Sequence, residues 1–146
     1  MQKKQLDMIK LVSALDNENN QNIVEAELDY TRINATKNQM LQQLQLPRDE
    51  LKQLHKQLKT YRCVETLDGL RFGSYIRWIS LKNPAEIKLT NGGIVCDIKN
   101  LNEEIHILCR NRMNRLMQVK LNENIIFQKL NEQEQVLLSA MEYLNA

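Results

Sequence analysis

Three closely spaced arginines are the residues of this sequence best suited to binding chemistry. Arg110, Arg112 and Arg115 lie in the segment Cys-Arg-Asn-Arg-Met-Asn-Arg, between two stretches whose alternating pattern predicts β-strands. Guanidinium groups bind phosphates and carboxylates through paired hydrogen bonds, so a turn of this composition could contact nucleic acid or an acidic protein surface. The alternative is a solvated turn with no binding role.

An aromatic and cationic strand could extend this surface. Tyr75, Arg77 and Trp78 lie in Ser-Tyr-Ile-Arg-Trp-Ile-Ser, and such side chains stack on bases in small barrels that bind nucleic acids. The alternative places Tyr75 and Trp78 in the core. The net charge is only +2, from 20 Lys and Arg against 18 Asp and Glu, whereas nucleic-acid-binding domains usually carry a larger basic excess. Nucleic-acid binding is therefore our second functional hypothesis.

A catalytic or metal centre has less support. Cys96, Cys109 and His106 fall on neighbouring predicted strands and could supply a nucleophile or part of a metal site. Their spacing matches no metal-binding motif, and buried structural thiols are the alternative interpretation. The glycines form no phosphate-binding loop pattern. We therefore expect no enzymatic activity, no cofactor and no metal.

A heptad pattern in the N-terminal region predicts an association surface. Its positions are separated alternately by three and four residues, as in a coiled coil, and Lys37 occupies one of them. The alternative is an ordinary amphipathic helix packed on the rest of the protein. The residues that we expect at an interface with a second copy or a partner are Ile23, Ala26, Tyr30, Ile33, Met40 and Leu44.

The elements that must position these residues form three segments. Residues 1–62 predict a helical arm of two or three helices with a break near Pro47, because proline begins helices well but interrupts them internally. A hairpin and a kinked rod are both compatible with this break. Residues 63–130 predict four or five short antiparallel strands, arranged as a meander or a small barrel, with the strongest turn signal at Asn91-Gly-Gly.

Residues 131–146 predict a C-terminal amphipathic helix. Asn131 and Glu134 have the spacing of a capping box, in which each side chain satisfies a main-chain N–H at the start of a helix. The predicted fold class is therefore α+β: a coiled-coil-like N-terminal arm, a small antiparallel β domain and a C-terminal helix.

The cysteines and the hydropathy pattern indicate a cellular location. Cys63, Cys96 and Cys109 are odd in number and contain no Cys-x-x-Cys pair, which favours a reducing compartment. No apolar segment typical of a secretory signal follows the first residues, and no apolar run is long enough for a membrane span. We expect an intracellular, cytoplasmic protein with no membrane partner.

One stretch of the β region resembles a viral pattern. Gly73-Ser-Tyr-Ile-Arg-Trp-Ile is followed by Leu89-Thr-Asn-Gly-Gly, and small proteins of nucleocytoplasmic large DNA viruses are similar in having Gly-x-Tyr-Ile-Arg-aromatic-Ile before Leu-x-x-Gly-Gly. Trp78 stands where those proteins have tyrosine. The resemblance covers less than half of the chain. It implies a viral origin and a virion or assembly role, and it transfers no catalytic residue.

The first functional hypothesis is therefore a non-enzymatic structural or assembly protein. The N-terminal helices would bind a protein partner or a second copy, and the β domain would serve as an interaction head. The heptad pattern and the missing catalytic motifs support it. The second hypothesis is a nucleic-acid-binding module that uses Arg77, Arg110, Arg112 and Arg115.

Overall fold

The computed structural model describes residues 7–17, 20 and 29–144, and within them the chain is α+β. The helices are α1 (Met8–Asp16), α2 (Tyr30–Gln42), α3 (Arg48–Gln57) and α4 (Glu132–Leu144). The strands are β1 (Tyr61–Val64), β2 (Tyr75–Ser80), β3 (Gly93–Leu101), β4 (Glu104–Arg110), β5 (Leu116–Lys120) and β6 (Asn124–Lys129). No helix in these ranges has both the length and the hydrophobicity that crossing a bilayer requires.

The chain forms two compact units, and one of them is built from two separate stretches of the sequence. One unit is continuous and comprises Thr36–Lys129. The other combines described residues before position 36 with those from Leu130 onward. The second unit therefore brings an N-terminal helix together with the C-terminal helix.

The six strands of the continuous unit form one antiparallel sheet in the order β1-β6-β2-β3-β4-β5. Strands β2 to β5 are a meander, as the sequence predicts, and β6 inserts between β1 and β2. The barrel prediction is wrong, because β1 and β5 lie at the two edges and the sheet is open. Alternating residues are needed in an open sheet and in a barrel alike, so the sequence pattern could not distinguish them.

One face of this sheet forms the larger core. Its apolar side chains belong to one cluster with contributions from all six strands and from Leu70 and Leu121 in the adjoining turns. Trp78 lies on this face and is buried, so it is a core residue. Neither α2 nor α3 contributes to the cluster, whose strand residues are Val64, Ile76, Trp78, Val95, Ile107, Cys109, Val119 and Ile126.

The opposite face packs on α2 and α3 over part of its width. Ile79, Ile125 and Phe127 of β2 and β6 form a second cluster here. The contribution from the helical hairpin comes from Leu41 of α2, Leu54 of α3 and Leu58 just after α3. This face is called the helix face below.

The helices α2 and α3 form a hairpin around Pro47. The Lys37 ammonium of α2 is buried and donates a hydrogen bond to the carbonyl oxygen of Leu58, at 2.9 Å, just after the end of α3. Asn38 similarly contacts His55 near the end of α3. Because the middle of α2 contacts the C-terminal end of α3, the chain reverses direction, and the kinked rod is excluded.

The second unit joins α1 to α4. The Gln133 side-chain oxygen accepts hydrogen bonds from the amides of Asn17 and Asn20, at 2.7 and 3.0 Å. The predicted capping box is confirmed, because Asn131 accepts from the N–H of Glu134 at 2.7 Å and Glu134 accepts in return at 3.1 Å. The C-terminal helix is thus confirmed over its described length.

Candidate functional site

The helix face carries polar side chains beside the cluster that α2 and α3 form with the sheet. Tyr75 and Arg77 alternate with core residues along β2, so both lie on this face. Arg77 is paired with Phe127 of β6, and Tyr61 of β1 is paired with Lys129 of β6. Directly paired residues share a face of the sheet, so strand pairing alone places two tyrosines and two cations together.

These side chains line a cleft with a volume of about 430 Å³. The residues that surround it come from β1, β2, β6 and two connections, and they are Tyr61, Tyr75, Arg77, Asn91, Arg112 and Lys129. No carboxylate is among these lining residues, and no described residue forms an ion pair with the three cations. The cleft, called the cationic cleft below, therefore combines three positive charges with two aromatic rings in its lining.

Two hydrogen bonds hold the wall of the cleft that β2 forms. The Nε–H of Arg77 donates to the carbonyl oxygen of Thr90 at 2.8 Å. The Tyr75 hydroxyl donates to the carbonyl oxygen of Asn91. Both bonds tie β2 to the connection before β3, so these two side chains are oriented before any ligand binds.

Gly92 allows this connection to approach β2 closely. Its φ of +85° lies in the left-handed region that favours glycine, and a Cβ built there would lie 2.1 Å from the carbonyl oxygen of Ile76. The turn predicted at Asn91-Gly-Gly does not form, since Gly93 already begins β3, and Gly92 instead allows the close contact with β2.

Tyr61 forms the buried side of the cleft. It is 8% exposed, and this burial raises the pKa of its hydroxyl, while the positive charge of Arg77 acts in the opposite direction and Tyr75 adds to the increase. The hydroxyl is therefore protonated at neutral pH and can donate a hydrogen bond to an anionic ligand.

Arg112 reaches the cleft from an ordered turn between β4 and β5. The side-chain oxygen of Asn111 accepts hydrogen bonds from the N–H groups of Met113 and Arg115, each at 3.0 Å. The Arg110 guanidinium donates to the side-chain oxygen of Asn114 at 2.8 Å. These contacts fix the main chain on both sides of Arg112, whose own side chain is exposed.

The structure brings some predicted site residues together and separates others. Arg77 and Arg112 both line the cationic cleft, whereas Arg110 and Arg115 are exposed outside its lining. Sequence reasoning missed Tyr61, Asn91 and Lys129. The pairing of β1 with β6 that places Tyr61 beside Lys129 leaves no local signal in the sequence.

The predicted association residues have different surroundings. Ile23 and Ala26 lie outside the described residues. Tyr30 and Ile33 pack with Leu130 and Leu138 in one unit.

Met40 and Leu44 pack against the helix-face cluster of the continuous unit, and α2 ends before Leu44. Lys37, which occupies a position in the same heptad pattern, is buried against the end of α3. No coiled coil is present in the described part of the chain, since these positions contact their own chain. The predicted interface with a partner or a second copy remains a prediction.

The thiol and imidazole groups do not converge. Ile107 and Cys109 belong to the larger core, so His106, which alternates with them along β4, lies on the other face. Cys96 is exposed next to an irregularity in the pairing of β3 with β4. Within residues 7–17, 20 and 29–144, no three His, Cys, Asp or Glu side chains are grouped so that they could hold a metal ion.

Comparison with known proteins finds no matching family model, no similar curated protein and no similar solved structure.

Proposed function

We propose that this protein binds single-stranded nucleic acid through the cationic cleft. The observation that carries the proposal is the convergence of Arg77, Arg112 and Lys129 with Tyr61 and Tyr75, without a carboxylate in the lining. Arginine and lysine bind phosphate oxygens, and tyrosine rings stack on bases or donate hydrogen bonds. The combination suits a ligand that has both a phosphate and an aromatic ring.

The cleft suits a single strand better than a duplex. Tyr61 is mostly buried and Tyr75 is half-buried, so contact with their rings requires a base that enters the cleft. Bases in a duplex are stacked on each other and paired, and their ring faces are hidden. Unpaired bases are accessible from both faces, and stacking on an aromatic side chain contributes about 1–3 kcal/mol per base.

The charge distribution predicts binding that depends strongly on salt. The net charge of the chain is only +2, so long-range attraction of a polyanion is weak and the three local cations must provide most of the electrostatic contribution. For a single strand, the logarithm of the affinity falls by about 0.7 per phosphate contact for each tenfold rise in salt. Three contacts therefore predict a slope of about −2 and a loss of about 18-fold between 50 and 200 mM salt.

Fluorescence anisotropy with a labelled deoxythymidine hexanucleotide and a labelled duplex tests this proposal. We expect the single strand to bind more tightly at 50 mM salt. Arg112→Gln and Lys129→Gln should each weaken binding and reduce the salt slope by about 0.7. Both side chains are exposed, so neither substitution should change the melting temperature appreciably.

Arg48→Gln is the matched control, because Arg48 is exposed at the start of α3 and does not line the cleft. It should leave the affinity and the slope unchanged. The proposal fails if the hexanucleotide does not bind at 50 mM salt, or if the control weakens binding as much as Arg112→Gln. It also fails if polyglutamate competes as well as the oligonucleotide, because the cleft would then bind acidic chains in general.

We propose assembly through the N-terminal helices as a second candidate function. The observation that favours it is a row of exposed apolar side chains on α1, formed by Met8, Ile9, Val12 and Leu15. An exposed apolar stripe on a helix is typical of a surface that another protein covers. A structural role in the cytoplasm, or the virion role that the viral resemblance implies, would use such a surface.

Measurement of the mass in solution at tens of micromolar tests the second candidate. We expect a mass above that of one chain, and Val12→Glu should lower it, since a charge in an apolar interface is costly. A strict monomer whose behaviour Val12→Glu does not alter would exclude self-association.

A further inference from the structure

A row of side chains leads from the cationic cleft across the rest of the sheet. Tyr75 of β2 is paired with Ile94 of β3, Ile94 with Arg110 of β4, and Arg110 with Leu116 of β5. Directly paired residues share a face, so this row lies on the helix face together with Arg77. We call Tyr75, Ile94, Arg110 and Leu116 the cross-sheet row.

The cross-sheet row is accessible beyond the cleft. Ile94 is 47% exposed, Leu116 is 60% exposed, and Arg110 between them is also exposed. The cluster that α2 and α3 form with the sheet reaches Tyr75, but it includes no residue of β3, β4 or β5. Strands β3 to β5 therefore present two apolar side chains with one cation between them, in direct continuation of the cleft.

We propose that a single strand bound in the cleft continues along the cross-sheet row to β5. Unpaired bases would lie on the side chains of Ile94 and Leu116, and the backbone phosphate between them would contact Arg110. Neighbouring strands are about 4.8 Å apart, so the three steps of the row span about 14 Å, the length of about four stacked nucleotides. The complete site would therefore bind five or six nucleotides, within the range of about 4–16 known for single-strand-binding domains.

Charge and continuity both favour this ligand over an apolar one. Arg110 is held along the β4–β5 turn by its hydrogen bond to Asn114, which keeps its charge near the row. The row begins at Tyr75, which also lines the cleft, so one chain can contact both without crossing a gap. A purely apolar partner would bury the Arg110 charge without a counter-charge, which is unfavourable.

The test compares a dinucleotide with a hexanucleotide, because only the longer ligand can reach the row. This inference rests on the proposed function, but the two ligands test the two proposals separately, because the dinucleotide reports on the cleft alone. We expect the hexanucleotide to bind at least tenfold more tightly than the dinucleotide. In NMR titrations, the amide signals of Arg110 and Leu116 should shift with the hexanucleotide only.

Ile94→Thr and Leu116→Gln should each reduce hexanucleotide affinity about fivefold, since each removes an apolar surface beneath a base. Neither should change dinucleotide affinity. Both substitutions replace exposed side chains, and threonine is well tolerated in strands, so the fold should be retained. Leu101→Gln is the matched control, because Leu101 is 48% exposed at the end of β3 and lies outside the row.

Three outcomes would overturn the inference while the cleft proposal survives. The dinucleotide and hexanucleotide could bind equally, the two variants could leave hexanucleotide affinity unchanged, or Leu101→Gln could reduce it as much as they do. If neither ligand binds at 50 mM salt, the proposed function itself is wrong, and this inference fails with it.

Discussion

Gln128 should contribute more to stability than any exposed polar residue of the β domain. Its side chain is fully buried in β6. Its oxygen accepts hydrogen bonds from the N–H of Arg71 at 3.0 Å and from the hydroxyl of Ser74 at 2.7 Å, and its amide donates to the carbonyl oxygen of Gly69 at 2.8 Å. One side chain thus holds the connection between β1 and β2, the segment that leads directly into the cleft.

The loss expected for Gln128→Leu follows from these partners. In the variant, the carbonyl oxygen of Gly69 still accepts a hydrogen bond from the Arg62 guanidinium at 2.8 Å. The Ser74 hydroxyl still donates a hydrogen bond to the carbonyl oxygen of Arg71 at 2.7 Å. The variant loses one hydrogen bond at each of these three partners, and a hydrogen bond contributes about 1 kcal/mol. We expect the free energy of unfolding to fall by about 2–4 kcal/mol.

Urea unfolding followed by the fluorescence of the buried Trp78 measures this change. For a slope of about 2 kcal/mol per molar urea, the midpoint should fall by 1–2 M with the slope unchanged. Gln53→Leu is the matched control, since Gln53 is exposed on α3, and it should change the free energy of unfolding by less than about 0.5 kcal/mol. A loss below about 1 kcal/mol for Gln128→Leu would refute the reasoning.

Two further predictions concern the glycines and the cysteines. Gly92→Ala should lower the free energy of unfolding by about 2 kcal/mol more than Gly73→Ala. Both glycines have positive φ, but only at Gly92 would a Cβ collide with the β2 main chain. Equal losses of free energy in urea unfolding would contradict this prediction. In the native protein at pH 8, a thiolate-selective reagent should modify the exposed Cys96 rapidly, while burial raises the pKa of Cys63 and of Cys109 to about 12 and keeps both protonated. Mass spectrometry should find one modified thiol before unfolding and three after it, and rapid native modification of Cys63 would be the contrary result.

Local patterns in the sequence predict most of the individual elements. Alternation identifies β3 and β4, and β-branched and aromatic residues bounded by turn signals identify β2. Short apolar runs between polar turns identify β5 and β6. The break at Pro47 and the capping pair at the start of α4 also depend only on residues near each other in the chain. Local chemistry is sufficient for these features.

Strand β1 and the order of the strands depend on partners that are distant in the chain, and the sequence does not reveal them. Tyr61 continues the apolar spacing of Leu51, Leu54 and Leu58, so the pattern extends the helix prediction to residue 62. Pairing with β6 overrides this local preference and makes Tyr61 the first residue of a strand.

The same limit applies to the cleft. Arg77 and Arg112 could be selected by residue type, but their approach to Tyr61 and Lys129 results from strand order. The sequence therefore identifies part of the site and not its assembly.

The discontinuous unit has a consequence for the order of folding. α1 and α4 are joined by the hydrogen bond between Asn17 and Gln133, which are 116 positions apart, so their contact closes a very long loop and contributes little early in folding. During synthesis on the ribosome, Thr36–Lys129 can be completed while α4 has not yet been made. Until α4 is made, α1 lacks its helical partner and both of its sides are exposed. The nascent chain therefore most needs protection by chaperones during this interval.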